Sequence, residues 1–377
     1  PAILARNASF CLISHRSGRE PATNSCREGC AGRLPLSLKG HITCHVGRTM
    51  RACLARWMVG VVWAMWAFAA CASAAAWPDR PLTLIVGWPR GSGSDQVARE
   101  LATGLGRELG VPINVLNLEG ANGLFAHTAV AYANPDGYTL GLVTPEVLGA
   151  YWMRQAEYGV EQFTPLVMVE QSPAVFWVAR NSPWRTMKEA MAALRKAPPG
   201  TYRVGGLAEG GAYHIALADL MKAAGLPIGA LQMLPGEGGA DCIAALEAKK
   251  LEVCVDSLRE SGVAWQSGKV RALGVFSQAV LPGLRGVPTL HEALGREVAG
   301  GIWRVLMAPK GLPQEVRIRL EAATIKVVES VPFNQFETIH DLGVPPHLAG
   351  QALEDHVMAE QQRWGEVLRD LGLRKHP

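Results

Sequence analysis

Cysteine is scarce in most of this 377-residue chain. Only Cys242 and Cys254 lie beyond residue 76; the other six fall at Cys11, Cys26, Cys30, Cys44, Cys53 and Cys71. Cys26 and Cys30 have no second ligand pair at zinc-like spacing, which argues against a metal site. Cys242 lies near the start of an expected helix and Cys254 in the strand after it. The chain doubles back between them, so one disulfide and two separate buried thiols are both open. Long hydrophobic runs are also missing. The most apolar stretch, Val59 to Ala70, holds about a dozen residues, too few for a comfortable membrane span. A basic surplus is missing from the main body. The whole-chain charge is +4, but residues 1–49 alone hold seven Lys/Arg and two Asp/Glu, and Arg51 and Arg56 follow. Subtracting these leaves about −3 for residues 75–377, a balance that does not point to nucleic acid. No Gly-x-Ser-x-Gly motif surrounds Ser94, so Ser94, His214 and Asp256 do not read as a hydrolase triad. His214 itself reads as a capping or core histidine, since no base and nucleophile pair is visible.

What is present begins with a leader. Met50, the charges at Arg51 and Arg56, the apolar stretch and Ala72-Ser73-Ala74 form a secretory signal over residues 50–76. An uncleaved anchor and lipid attachment at Cys71 are the alternatives. Residues 1–49 have no clear periodicity and read as a non-native or disordered upstream segment. Beyond the leader, about half of all residues are apolar, enough for one large or two medium domains.

The organising stretch is Leu82-Thr83-Leu84-Ile85-Val86-Gly87-Trp88-Pro89-Arg90-Gly91-Ser92-Gly93-Ser94-Asp95. It reads as a core strand, then a glycine- and serine-rich loop, then a helix opened by Ser94 or Asp95. The unpaired N–H groups of such a turn are a ready site for a carboxylate or phosphate. Val97, Leu101, Leu105 and Leu109 give the helix one apolar face. Strands at 113–116 and 138–143 alternate with helices, the pattern of a parallel sheet whose ligands sit beyond the carboxyl ends of its strands. The loops at 88–94, 117–123 and 144–146 occupy that edge. A second α/β unit follows, with strands at 202–206, 231–234, 251–255 and 270–276. Residues 167–179 read as two extended segments broken at Ser172-Pro173. A strand at 302–307 and three helices complete the chain. Two similar units suggest two lobes around a cleft, where small ligands prefer to bind.

The motifs in this order resemble the Bug family, the periplasmic substrate-binding receptors of tripartite tricarboxylate transporters, over residues 77–372. They are Trp77-Pro78-Asp79-Arg80-Pro81, the loop from Trp88 to Asp95 with Val97-Ala98-Arg99, and Asn117-x-x-Gly120-Ala121-x-Gly123. Pro135 to Leu140, Gly268 to Leu273, Val287-Pro288-Thr289 and Ala308 to Pro313 follow. The resemblance implies an α/β, two-lobed, type II-like Venus flytrap fold. Each lobe would be a mostly parallel sheet flanked by helices, with 77–178 plus 300–377 in one and 179–299 in the other. It implies a monomeric periplasmic binding protein that is not an enzyme. Such a protein needs no cofactor, binds no nucleic acid, and delivers a small organic acid to membrane transporter subunits. A sensory module feeding a two-component kinase is the alternative, and a hydrolase a more distant one.

On this reading the ligand-binding residues are Trp88, Arg90, Gly91, Ser92, Gly93, Ser94 and Asp95 from the first loop. Gly120 and Asn122 shape the opposite wall, Thr144 with Ala208, Gly210 and Gly211 close the pocket, and Asp256 ends a strand at the cleft. Arg90 could grip a carboxylate bidentately or stand as a solvated loop arginine. Asp95 could hold the loop or serve as a helix-start acid. Trp88 and Trp303 could wall the pocket or belong to the core. Ser92 and Arg90 depart from the family pattern. So does the 208–212 loop, which lacks the ligand-facing hydroxyls expected there.

Overall fold

Short β-branched and leucine-rich runs alternate with amphipathic stretches, and most become the strand or helix their period predicts. The computed structural model describes residues 77–234, 239–339 and 347–376. The expectations for residues 1–49 and for the leader, Cys71 included, lie outside them. The strands are β1 (Leu82–Val86), β2 (Ile113–Asn117), β3 (Thr139–Val143), β4 (Phe163–Ala179), β5 (Tyr202–Gly205), β6 (Leu231–Met233), β7 (Val253–Ser257), β8 (Val270–Val275) and β9 (Gly301–Pro309). Helices α1 (Gly93–Leu109), α2 (Leu124–Ala131) and α3 (Glu146–Trp152) follow β1, β2 and β3. Helices α4 (Met187–Lys196), α5 (Ala212–Ala223), α6 (Gly239–Glu247), α7 (Leu258–Gln266) and α8 (Leu290–Leu294) accompany β4 to β8. Helices α9 (Gln314–Val328), α10 (Val331–Ile339) and α11 (Gly350–Asp370) come last.

The fold is α/β and two-lobed. The strand order is β2-β1-β3-β9-β4-β7-β5-β6, with β8 also paired to β4. β1 runs parallel to β2 and β3, and β5 parallel to β6 and β7. The pairings of β4 and β9 are antiparallel. Each lobe therefore keeps a parallel centre, and the sheet turns antiparallel where the chain passes between the lobes.

The two extended segments expected across 167–179 are a single 17-residue strand, β4. Its first part pairs with β9 as far as Pro173↔Gly301, and its last part pairs with β7 and β8. Pro173 does not break the strand, because the ladder resumes at once with Ala174 N–H donating to Gly300 O at 2.8 Å. A Cβ on Gly301 would stand 2.3 Å from Ser172 O, so only glycine lets the two backbones approach this closely.

α1 shows how sequence fixes an element. Ser92, and not the expected Ser94 or Asp95, caps it by accepting from Asp95 N–H, because the helix already begins at Gly93; Gly110 ends it in the left-handed conformation at φ 76°. Val97, Leu101 and Leu105 are fully buried against Leu84, Leu140 and Leu306. Each such side chain stabilises the fold by about 1.5–3 kcal/mol relative to exposure. Cys242 and Cys254 form a disulfide, with Cα atoms 5.9 Å apart, tying α6 to β7.

Candidate functional site

The carboxyl ends of β1, β2, β3, β5 and β7 deliver their loops to one cavity of about 370 Å³. Trp88, Pro89, Gly91, Ser92, Gly93, Ser94 and Gln96 form its first wall, and Asn122 and Glu146 come from the next two loops. Gly206, Leu207, Ala208, Gly211, Ala212 and Tyr213 form the facing wall. Asp241, Arg259, Glu260, Ile302 and Arg304 complete the lining.

Two helix N-termini meet here. In α1, Ser92 Oγ takes the Asp95 N–H, but the Gly93 and Ser94 N–H groups have no acceptor among the described residues. In α5, Ala212 N–H donates to Glu146 Oε1 at 3.3 Å, and Tyr213 N–H has no acceptor among the described residues. Unpaired N–H groups carry the positive end of the helix dipole, so this geometry favours an anion.

Below the first wall lies a buried charge cluster. Glu170 on β4 faces Arg304 on β9 in register. Arg304 Nη1 donates to Glu170 Oε2 at 2.5 Å, and its Nε donates to Ser94 Oγ at 2.9 Å. Arg259 at the start of α7 donates to Glu170 Oε1 at 2.9 Å and to Glu337 Oε2 on α10 at 2.8 Å. Both arginines press on the loop: a Cβ on Gly93 would stand 2.9 Å from Arg304 Nη2 and 3.0 Å from Arg259 Cδ. Burial works against the charge of Glu170, yet Arg304 and Arg259 hold its carboxyl down at about 2. Burial and the Glu170 charge push Glu337 up to about 7, against the pull of the two arginines. Near neutral pH, two full cations thus face one full anion and one partly protonated acid, while Glu146, Glu260 and Asp241 add carboxyl groups to the lining.

The other residues singled out from sequence are placed as follows. Trp88, Gly91, Ser92, Gly93, Ser94, Asn122, Ala208 and Gly211 line the cavity. Arg90 is exposed and Gly120 is exposed, and neither lines it. Asp95 lies behind the loop, where it accepts from Gly91 N–H at 2.8 Å and from Arg99 and Asn117. Burial opposes its ionisation, but those bonds hold its carboxyl below the ordinary value. Thr144 is buried, with its N–H directed at His127 Nε2. Gly210 N–H donates to His214 Nδ1 at 3.0 Å. Asp256 is buried under Trp177 Nε1 and Ser261 Oγ, each donating at 2.7 Å, and does not line the cavity. Ser94, His214 and Asp256 therefore belong to three separate hydrogen-bond networks.

Glu146, Tyr213, Glu260, Arg259 and Arg304 were not among the residues expected from sequence. Glu170 and Arg304 did carry a signal: each is a lone charge inside an otherwise apolar strand, Val-Met-Val-Glu and Ile-Trp-Arg-Val-Leu-Met. Opposite lone charges in two buried strands are the sequence trace of a buried pair.

A two-lobed α/β body with an anion-favouring cavity between helix N-termini defines a solute-binding receptor of the periplasmic type. The model of the tripartite tricarboxylate transporter family receptor (TctC) matches residues 97–373, and the chain belongs to that family. Protein BugT from Bordetella pertussis is 30% identical over 321 residues, covering 84% of this chain and 96% of BugT. The structure of the periplasmic binding protein BugD is similar with a TM-score of 0.70 at 27% identity, covering 80% of this chain and all of BugD. MatC from Rhodopseudomonas palustris, solved with bound malate, is similar with a TM-score of 0.67 at 25% identity, covering 77% and 99%. Members of this family are receptors and not enzymes. Among the described residues, no helix is long and apolar enough to cross a membrane.

Proposed function

We propose that this protein captures a small carboxylate-bearing solute in the periplasm and presents it to a tripartite tricarboxylate-type transporter. The observation that carries this reading is the pair of unacceptored N–H groups, Gly93 and Ser94, opening a 17-residue helix onto a cavity floored by Arg304 and Arg259. Family membership supports the class, and the malate bound to MatC supports an organic acid. The cavity volume of about 370 Å³ suits a solute of a few to a dozen heavy atoms. The lobes, 77–178 with 300–377 and 179–299, close over it by hinge motion, and the signal at residues 50–76 directs export. Closure stabilises the complex only as far as the solute contacts both walls.

A thermal-shift screen of residues 75–377 against carboxylates, amino acids and aromatic acids tests this. At 100 times its dissociation constant, a solute adds about 2.7 kcal/mol. For about 300 residues that raises the midpoint by roughly 4 °C. An unmoved midpoint with every acid would sink the receptor reading.

A further inference from the structure

Helix α5 is apolar on two faces. Ala216, Leu217, Leu220 and Met221 join the core of the second lobe with Val204 and Val253. Ala212, Ile215 and Ala218, none more than 3% exposed, join the core of the first lobe instead, with Trp152 and Met153 at the end of α3 and Trp364 and Leu368 of α11. Two apolar faces on one short helix mean that it is buried between two bodies. Two ion pairs frame the outer end of this seam. Arg363 Nη1 of α11 donates to Asp219 Oδ2 at 2.6 Å, and Lys222 Nζ donates to Asp370 Oδ2 of α11 at 2.7 Å. Pairs so near the surface contribute little, so the apolar contact carries the hold.

The backbones fit closely along the same seam. A Cβ on Gly149 of α3 would stand 2.6 Å from Gly210 O and 3.3 Å from the Trp364 ring. A Cβ on Gly210, which sits at φ 67°, would stand 2.6 Å from Met153 Sδ. Glycine at both positions lets α3 and the loop before α5 approach this closely. Gly210 accordingly faces the first lobe and is absent from the cavity lining. Beside it, Ala212 N–H donates across the lobes to Glu146 Oε1. It is a first-turn amide with no acceptor inside α5, so separating the lobes would leave it to water. The same motion would expose the buried face of α5 and its bed of Trp152, Met153, Trp364 and Leu368.

We propose that α5 clasps the two lobes together before any solute arrives, so that the closed form is the resting form, and that Gly149 is the positioning residue that lets the clasp seat. This rests on the lobe boundaries given above and not on which solute binds. A solute enters during a brief opening and meets a wall already in place. Its affinity is then not lowered by a small closed fraction.

Amide-resolved hydrogen exchange on the solute-free protein tests this, because the Ala212 N–H is protected only while the lobes are joined. It should exchange at least about 100-fold more slowly than in an unstructured peptide. Gly149→Ala should speed it by about tenfold or more, while Leu101 and Leu105 in α1 stay within about twofold. Exchange of Ala212 at the peptide rate in the wild type would overturn the proposal. So would an unchanged Ala212 rate in Gly149→Ala. Equal acceleration of Ala212, Leu101 and Leu105 would do the same, since it marks only a loss of global stability. If Gly149→Ala does not fold, Arg363→Gln takes its place. It breaks only the pair at the edge of the seam, so about threefold acceleration at Ala212 is expected, and none would overturn the proposal. No solute enters this experiment. Its failure therefore leaves the receptor reading standing, and the thermal-shift screen decides that reading separately.

Discussion

Replacing Glu337 by glutamine removes the charge of an acid bonded to a buried arginine, and it should nevertheless stabilise the protein at alkaline pH. Glu337 meets Arg259 from α7, and the charges of Glu170 on β4 and Arg304 on β9 also act on it. Its carboxyl sits at about 7 in the folded protein against an ordinary 4.5. Between those values the folded protein holds the proton and the unfolded chain has released it. The unfolded state thus binds fewer protons, and stability falls as pH rises from about 4.5 through about 7. At 1.36 kcal/mol per unit, the loss attributable to this residue is about 3 kcal/mol by pH 8. Glu170, held at about 2, stays ionised over that range; its contribution is lost only as pH falls from about 4.5 toward 2. Urea unfolding of the wild type and Glu337→Gln at pH 5 and pH 8 reads the difference directly. Other raised acids, such as Asp256 and Glu146, titrate in both proteins and cancel. Near pH 5 the two proteins should be almost equally stable, since protonated Glu and Gln accept the same Arg259 bond. At pH 8 the variant should be the more stable, by about 3 kcal/mol relative to that comparison. The competing expectation is that a charged Arg259–Glu337 pair stabilises the fold, so that breaking it costs about 3–5 kcal/mol. A variant clearly less stable than the wild type at pH 8 would refute the reasoning.

Three further outcomes are expected. Gly93→Ala would push a Cβ into Arg304 Nη2 and Arg259 Cδ, and should weaken binding of any acid found in the screen by about tenfold, at a stability cost of about 1–3 kcal/mol. Unchanged calorimetric affinity would show that the arginine floor is not part of the site. The Cys242–Cys254 bridge closes a loop of sequence separation 12, so its reduction should cost about 3 kcal/mol and lower the melting midpoint by roughly 4–5 °C. Scanning calorimetry with and without reductant checks this, and equal midpoints would mean the bridge does not constrain the unfolded chain. Arg90 is exposed and outside the cavity lining, so Arg90→Ala should change affinity by less than about threefold at fixed ionic strength. A loss above tenfold would bring it into the site.

The sequence by itself determined the local pieces and their order. The stripe Val97, Leu101 and Leu105 and the Gly110 stop define α1 through contacts within about four residues, and such rules need no tertiary information, although they put the cap at Ser94 or Asp95 where the helix takes Ser92. The same rules put the loop from Trp88 to Ser94 at a strand end, and that loop lines the cavity. Strand alternation likewise set the parallel centre of each lobe. What lay beyond local rules was decided by long-range pairing. Whether Cys242 meets Cys254 depends on how α6 lies on β7. Asp95 and Arg90 are neighbours of the same loop glycines, yet the fold turns the first inward onto Arg99 and Asn117 and leaves the second in solvent. The floor joins Ser94, Glu170, Arg259, Arg304 and Glu337, which span more than 240 positions of the chain and come from five elements. Glu170 and Arg304 stand out only as lone charges in apolar strands, and nothing local pairs them, because a charge acquires its energy from what it is buried against and not from its place in the sequence. Glu146 is the sharpest case. As a residue it is an ordinary helix-opening acid; only the packing of α3 against the start of α5 turns it into a carboxylate on the wall of the cavity.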